Sequence, residues 1–236
     1  MSNQLIIALD YEKAADALAL VDLLDPTTCA VKVGSELFTR FGTQFVTALV
    51  ERQFNVFLDL KFHDIPNTVA CACKAAADLG VWMLTLHASG GIKMMMAAKQ
   101  AVQTVPNPPL LVAVTVLTSM QQSDLTEQGV NSPLHLHVLQ LAQMAETAGL
   151  DGVVCSAHEV PLIKAQCGSS FLAVTPGIRL EGQSLDDQVR TSTVESALQV
   201  GSDYLVVGRS ITRAAYPRQV LSGLLKTLAQ FSQPNS

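Results

Sequence analysis

At 236 residues, 49% hydrophobic and 15% charged, the chain has enough apolar material for a sizeable core and too little charge for a disordered polymer. Its 20 acidic against 15 basic side chains, a net charge of −5, exclude a broad nucleic-acid surface, so an anionic ligand must be held by a few focused cations. The longest apolar run, residues 110–117, is far short of the ~20 residues that a bilayer span needs.

Along the chain, short apolar runs rich in β-branched residues fall at 5–9, 29–33, 56–60, 81–86, 110–117, 152–155, 171–175 and 204–207. Their near-continuous hydrophobicity predicts parallel strands buried on both faces. Between them the spacing predicts amphipathic helices over 14–24, 43–53, 68–79, 134–148 and 191–200, with Gly80, Gly149 and Gly201 just past helix ends as left-handed caps. Eight strands alternating with helices match an α/β fold of the (β/α)8 TIM-barrel kind. The rival, a doubly wound open sheet, lacks a G-x-G-x-x-G after the first strand. No linker or low-complexity tract divides the chain, so residues 1–236 are expected to form one barrel domain.

The five cysteines, Cys29, Cys71, Cys73, Cys155 and Cys167, form no C-x-x-C and read as buried free thiols of a reducing compartment. His135 and His137, two apart on a helix, face different ways and make no zinc pair. Residues 1–4 lack the basic flank of a secretory signal, so a cytoplasmic protein is expected, with no membrane or nucleic-acid partner.

In a barrel of this kind the chemistry sits where the strands end. Asp10, Lys32, Asp59 with Lys61, His87, Thr118 and Gly208-Arg209 end apolar runs. The densest cluster is Asp59-Leu60-Lys61-Phe62-His63-Asp64-Ile65-Pro66-Asn67-Thr68. Strand alternation turns Asp59 and Lys61 to one side, and Lys32 ends the neighbouring strand, so Lys32, Asp59, Lys61 and Asp64 are expected within a few ångströms in alternating charge. As a purely structural network they would contribute little, because desolvation offsets their attraction. That favours a functional reading. His63 points away from Lys61 by alternation and is set aside, as is His87, while Met94-Met95-Met96 reads as packing.

This decapeptide resembles the signature of the orotidine 5′-phosphate decarboxylase family. The likeness extends to Leu9-Asp10, Val31-Lys32-Val33-Gly34, Thr175-Pro176-Gly177-Ile178-Arg179 and Val206-Val207-Gly208-Arg209-Ser210-Ile211. It implies a ribulose-phosphate-binding type of barrel that decarboxylates orotidine 5′-phosphate to uridine 5′-phosphate, the last step of de novo pyrimidine nucleotide synthesis. It implies no metal and no organic cofactor, and a homodimer with active sites shared at the interface. By resemblance Lys61 stabilises and protonates the C6 carbanion, while Asp59 faces the substrate carboxylate. Lys32 and the Asp64 of a partner subunit complete the catalytic set. Asp10 and Lys32 reach the ribose. Ile65, Thr68, Thr118, Arg179, Gln188, Gly208 and Arg209 join the substrate-binding set. Residues 177–188, polar and longer than a tight turn, read as a lid in which Gln188 reaches phosphate and pyrimidine. Arg209, following a glycine after the last strand, independently suits a phosphate.

Two other readings keep the barrel. A magnesium-dependent sugar-phosphate decarboxylase of the same superfamily would need a carboxylate at the second strand end, where this chain has Lys32. A nucleotide-binding protein without chemistry would not need four costly charges.

Overall fold

Each of the eight apolar runs becomes a parallel strand, and helical chain follows each one. In the computed structural model, which describes residues 4–179 and 190–231, the strands are β1 (Leu5–Ala8), β2 (Ala30–Gly34), β3 (Val56–Phe62), β4 (Met83–His87), β5 (Leu110–Val114), β6 (Gly152–Val154), β7 (Leu172–Thr175) and β8 (Tyr204–Val207). They close in the order β1-β8-β7-β6-β5-β4-β3-β2, with Ile6 opposite both Val206 and Ala30. This is the expected (β/α)8 barrel. Beside it, Ile178–Arg179 and Ser192–Thr193 form a two-residue parallel pair.

Burial on both strand faces explains the continuous hydrophobicity. Ile6, Ala30, Phe57, Met83, Val112, Val174 and Val206 fill the barrel. The alternate positions, Ile7, Leu58, Leu84, Ala113 and Leu205 among them, pack beneath the helices. Each large side chain so buried contributes about 1.5–3 kcal/mol relative to exposure.

The helices differ more from expectation than the strands do. The one expected over 43–53 begins earlier, as Ser35–Glu51, and is broken at Gly42, whose φ of 62 and ψ of −155 are not helical. Its first half was hidden because it leaves Gly34 of β2 with no intervening turn residue. Helix Pro217–Phe231 lay outside the expected set; it buries Leu221, Leu224 and Leu228 along one face. Gly80, Gly149 and Gly201 do adopt positive φ, at 78, 76 and 93. Of the cysteines, four are buried, but Cys71 is exposed. It shares helix Pro66–Ala77 with Cys73, and residues two apart on a helix cannot face the same way.

At the N-terminal ends of the strands the chain repeats one device. Gly149-Leu150-Asp151 and Gly201-Ser202-Asp203 each end one residue before a strand. Asp151 accepts from the Leu111 amide at 2.7 Å and from Lys99 Nζ at 2.7 Å. Asp203 accepts from the Ala173 amide at 2.7 Å and from Lys164 Nζ at 2.7 Å. Each carboxylate thus ties its own strand to the preceding one and to a helix. A hydrogen bond to a charged group contributes about 1.5–3 kcal/mol, less where solvent reaches the pair. In barrels this end serves stability, which leaves the opposite end for chemistry.

Candidate active site

The inward positions of the strands change character at their C-terminal ends. On β3, Phe57 points into the barrel, Leu58 out, and Asp59 in again. The pairing with β4 then breaks: Leu58 lies opposite Leu84, yet the next partners are Phe62 and Leu86. Three residues of β3, Asp59 to Lys61, therefore face the single Thr85. Lys61 takes up the extra length with φ at 53, a region that residues with a Cβ rarely occupy.

Asp59 is the hub. Its Oδ2 lies 2.8 Å from Lys61 Nζ and 3.6 Å from Lys32 Nζ, and its Oδ1 accepts from the Thr85 hydroxyl at 2.9 Å. Lys32 Nζ also donates to Asp10 Oδ1 at 3.3 Å. Gly34 leaves room for that ammonium, since a Cβ there would stand 3.2 Å from Lys32 Nζ. Burial works against the charge of Lys32, but the carboxylates of Asp59 and Asp10 outweigh it and hold the ammonium above the ordinary lysine value. Burial likewise opposes the charge of Asp59. Lys32, Lys61 and the Thr85 hydroxyl overcome it and hold the carboxyl below its usual range.

Asp10, Lys32, Asp59 and Lys61 line a cleft of about 280 Å³ with Phe57, Val116, Leu117, Thr118, Arg179, Gly208 and Arg209. Asp10, Lys32, Asp59, Lys61, Thr118, Arg179, Gly208 and Arg209 are thus brought together. Gln188 lies outside the described residues.

Asp64, Ile65 and Thr68 are not in the cleft of their own chain. All three are exposed, Ile65 at 67%, and Asp64 Oδ1 accepts from the Ile65 amide at 2.6 Å. The four-charge cluster expected within one chain is therefore corrected: Asp10, not Asp64, is the second carboxylate beside Lys32. β3 ends at Phe62, and the chain turns out towards the helix that Pro66 begins. His63 leaves the network too, its ring 5.6 Å from that of His87. The half-buried His87 is held below the ordinary histidine value, by burial first and then by His63 and Lys61.

Sequence reasoning missed Thr85, Arg190 and Glu159. Thr85 left one signal, a polar residue at an inward position of an apolar strand. Arg190 donates to the carbonyls of Val116 at 3.0 Å and Leu117 at 2.9 Å, and its backbone amide donates to the Thr118 carbonyl at 3.3 Å. It pairs with the buried Glu159, whose carboxyl is pushed up by burial against the pull of Arg190. This brace sets the backbone of the 116–118 wall.

The comparisons with known proteins agree with one another. A sequence profile of the orotidine 5′-phosphate decarboxylase / HUMPS family matches residues 3–224. An orotidine 5′-phosphate decarboxylase of Legionella pneumophila (strain Corby) is 55% identical over 229 residues, 97% of this chain and 100% of that protein. That of Pasteurella multocida (strain Pm70) is 54% identical over 97% of this chain and 98% of its own length. The crystal structure of orotidine 5′-phosphate decarboxylase from Lactobacillus acidophilus superposes with a TM-score of 0.87 at 38% identity, covering 98% of this chain and 100% of that one.

The charge network can be tested without substrate. Asp59→Asn removes the main partner of the buried Lys32 cation, and breaking such a pair costs about 3–5 kcal/mol. The variant should be less stable to urea at pH 7 by a large part of that. The deficit should narrow as pH rises towards 10, because an uncompensated buried ammonium is relieved by losing its proton. A variant as stable as wild type at pH 7, or a deficit independent of pH, would show that Asp59 does not hold Lys32 charged.

Proposed function

The chain belongs to the orotidine 5′-phosphate decarboxylase family and is an enzyme of its carboxy-lyase class, and on that premise we propose that it converts orotidine 5′-phosphate to uridine 5′-phosphate and carbon dioxide in pyrimidine nucleotide synthesis. The observation that carries the proposal is the Lys32–Asp59–Lys61 array, one carboxylate oxygen between two ammoniums at the wall of the cleft.

The chemistry follows from where charge must go. Breaking the bond between C6 and the carboxylate leaves an electron pair on C6 that no adjacent carbonyl delocalises. The Lys61 ammonium, fixed beside Asp59, stabilises that pair as it develops, and its Nζ then delivers the proton that completes uridine 5′-phosphate. Lys61 is reprotonated from solvent. Asp59, held ionised, faces the substrate carboxylate, and their repulsion is relieved as carbon dioxide leaves. Lys32 and Asp10 take the ribose hydroxyls, and Thr118 the pyrimidine edge. Gly208 lets the phosphate approach the backbone, with Arg209 and Arg179 supplying forked donors. Gln188 completes the phosphate and pyrimidine contacts. No metal or organic cofactor is invoked. Lys32 at the end of β2 speaks against a metal-binding carboxylate there.

We propose further that the chain acts as a cytoplasmic homodimer of single-domain chains spanning residues 1–236, a reading that the exposure of Asp64, Ile65 and Thr68 supports. In that dimer these signature residues, which miss their own cleft, would enter the cleft of the second copy. Two lysines beside one aspartate leave a positive excess, and a partner's Asp64 would balance it.

Loss of the absorbance of orotidine 5′-phosphate is expected in the presence of excess chelator. Lys61→Ala should abolish it while uridine 5′-phosphate still binds, because the lost cation acts chiefly in the transition state. Retention of more than a few per cent of turnover would remove Lys61 from this role.

The shared site has its own test. Lys61→Ala and Asp64→Ala should each be inactive; mixed under subunit exchange, their hybrids would hold one site lacking both residues and one carrying both, so about a quarter of all sites should be restored. A mixture no more active than its parents, with exchange confirmed by a mass tag, would place Asp64 outside any shared site.

A further inference from the structure

Thr85 occupies a singular position in the barrel. It is wholly buried in β4, behind Asp59 and outside the residues that line the cleft. It faces the stretch of β3 where the ladder fails, between the Leu58–Leu84 and Phe62–Leu86 pairs. Its hydroxyl replaces the missing backbone partner. Oγ1 accepts from the Lys61 amide at 2.9 Å and donates to Asp59 Oδ1 at 2.9 Å.

The direction of both bonds is fixed by chemistry. An amide N–H can only donate, and an ionised carboxylate can only accept, so the single hydroxyl proton must point at Asp59. One atom therefore does two things. It holds the Lys61 backbone at a φ of 53, a conformation that persists only where the surroundings impose it. It also occupies one oxygen of Asp59, which leaves Oδ2 to face Lys61 at 2.8 Å and Lys32 at 3.6 Å. Backbone and carboxylate are locked in one mutual geometry, as a preorganised site requires.

We propose that Thr85 is a positioning residue for the decarboxylation, acting through Asp59 and Lys61 by fixing the conformation of the one and the orientation of the other. This rests on the reading given under Proposed function. A threonine that merely filled the core would be replaceable by valine, which has the same shape.

The test compares Thr85→Val, which removes the hydroxyl and keeps the shape, with Thr85→Ser, which keeps the hydroxyl. Thr85→Val should lower kcat by about 10- to 100-fold, the scale of a lost charge-assisted hydrogen bond, with affinity for uridine 5′-phosphate within about threefold of wild type. Thr85→Ser should recover most of the rate. In Thr85→Val the acid limb of the kcat–pH profile should also move to higher pH, because Asp59 has lost a donor that favours its charged form. Should valine prevent folding, Thr85→Ala lacks the same hydroxyl and carries the same expectations. If wild type decarboxylates orotidine 5′-phosphate and Thr85→Val keeps its kcat and pH profile, the role of Thr85 falls while the activity stands. Equal losses in Thr85→Val and Thr85→Ser, or a matching loss of product affinity, would also overturn it. If wild type shows no turnover, the functional reading falls, and this one with it.

Discussion

Two lysine ammoniums converge on a single carboxylate oxygen of Asp59, and much of the upper barrel is arranged to make that tolerable. Buried charges are costly, and a chain with 15% charged residues has few to place. The cost is met by partners on several strands. Asp10 from the end of β1 shares Lys32, Thr85 from β4 takes the other oxygen of Asp59, and Gly34 on β2 keeps the space for the Lys32 ammonium. The broken ladder between β3 and β4 is part of the same arrangement, since it brings Asp59 and Lys61 together opposite one threonine.

The two ends of the barrel handle charge in opposite ways. At the N-terminal ends of the strands, Asp151 and Asp203 each meet one lysine and one strand amide, so every charge has its complement in the same chain. At the C-terminal ends two lysines share one oxygen of Asp59, beside a cleft that Asp10, Arg179 and Arg209 also line. Such a gathering of cations suits a phosphorylated, carboxylated substrate of the kind proposed. The Glu159–Arg190 pair stands between these regimes: it is internally balanced, yet Arg190 grips the carbonyls of the 116–118 wall. Rigidity is thus supplied from behind the cleft, by a pair whose two charges answer each other.

How much of this was legible in the sequence depended on whether a feature was local. The eight strands were, because burial on both faces writes itself as unbroken apolar runs. That Asp59 and Lys61 share a side followed from alternation, although Lys61 reaches it through a left-handed backbone rather than a regular strand. The placement of Asp64 did not follow: alternation says nothing once a strand has ended, and the chain leaves the barrel at Phe62. Thr85 bonds Asp59 and Lys61, and Arg190 bonds Glu159 and Val116, across 24 to 74 residues, so no window of sequence could have paired them. The first half of helix Ser35–Glu51 was lost for a simpler reason, the absence of any turn between it and β2.

The role given to Lys61 rests on a carbanion at C6 that this one side chain protonates. The same step run backwards removes the proton from C6 of uridine 5′-phosphate, because forward and reverse paths share a transition state. Proton NMR of uridine 5′-phosphate in deuterium oxide reads this directly, as loss of the C6–H signal. With saturating nucleotide the wild-type protein should catalyse that exchange, and Lys61→Ala should leave the signal at its background rate. Exchange by Lys61→Ala as fast as by wild type would show that the proton comes from elsewhere.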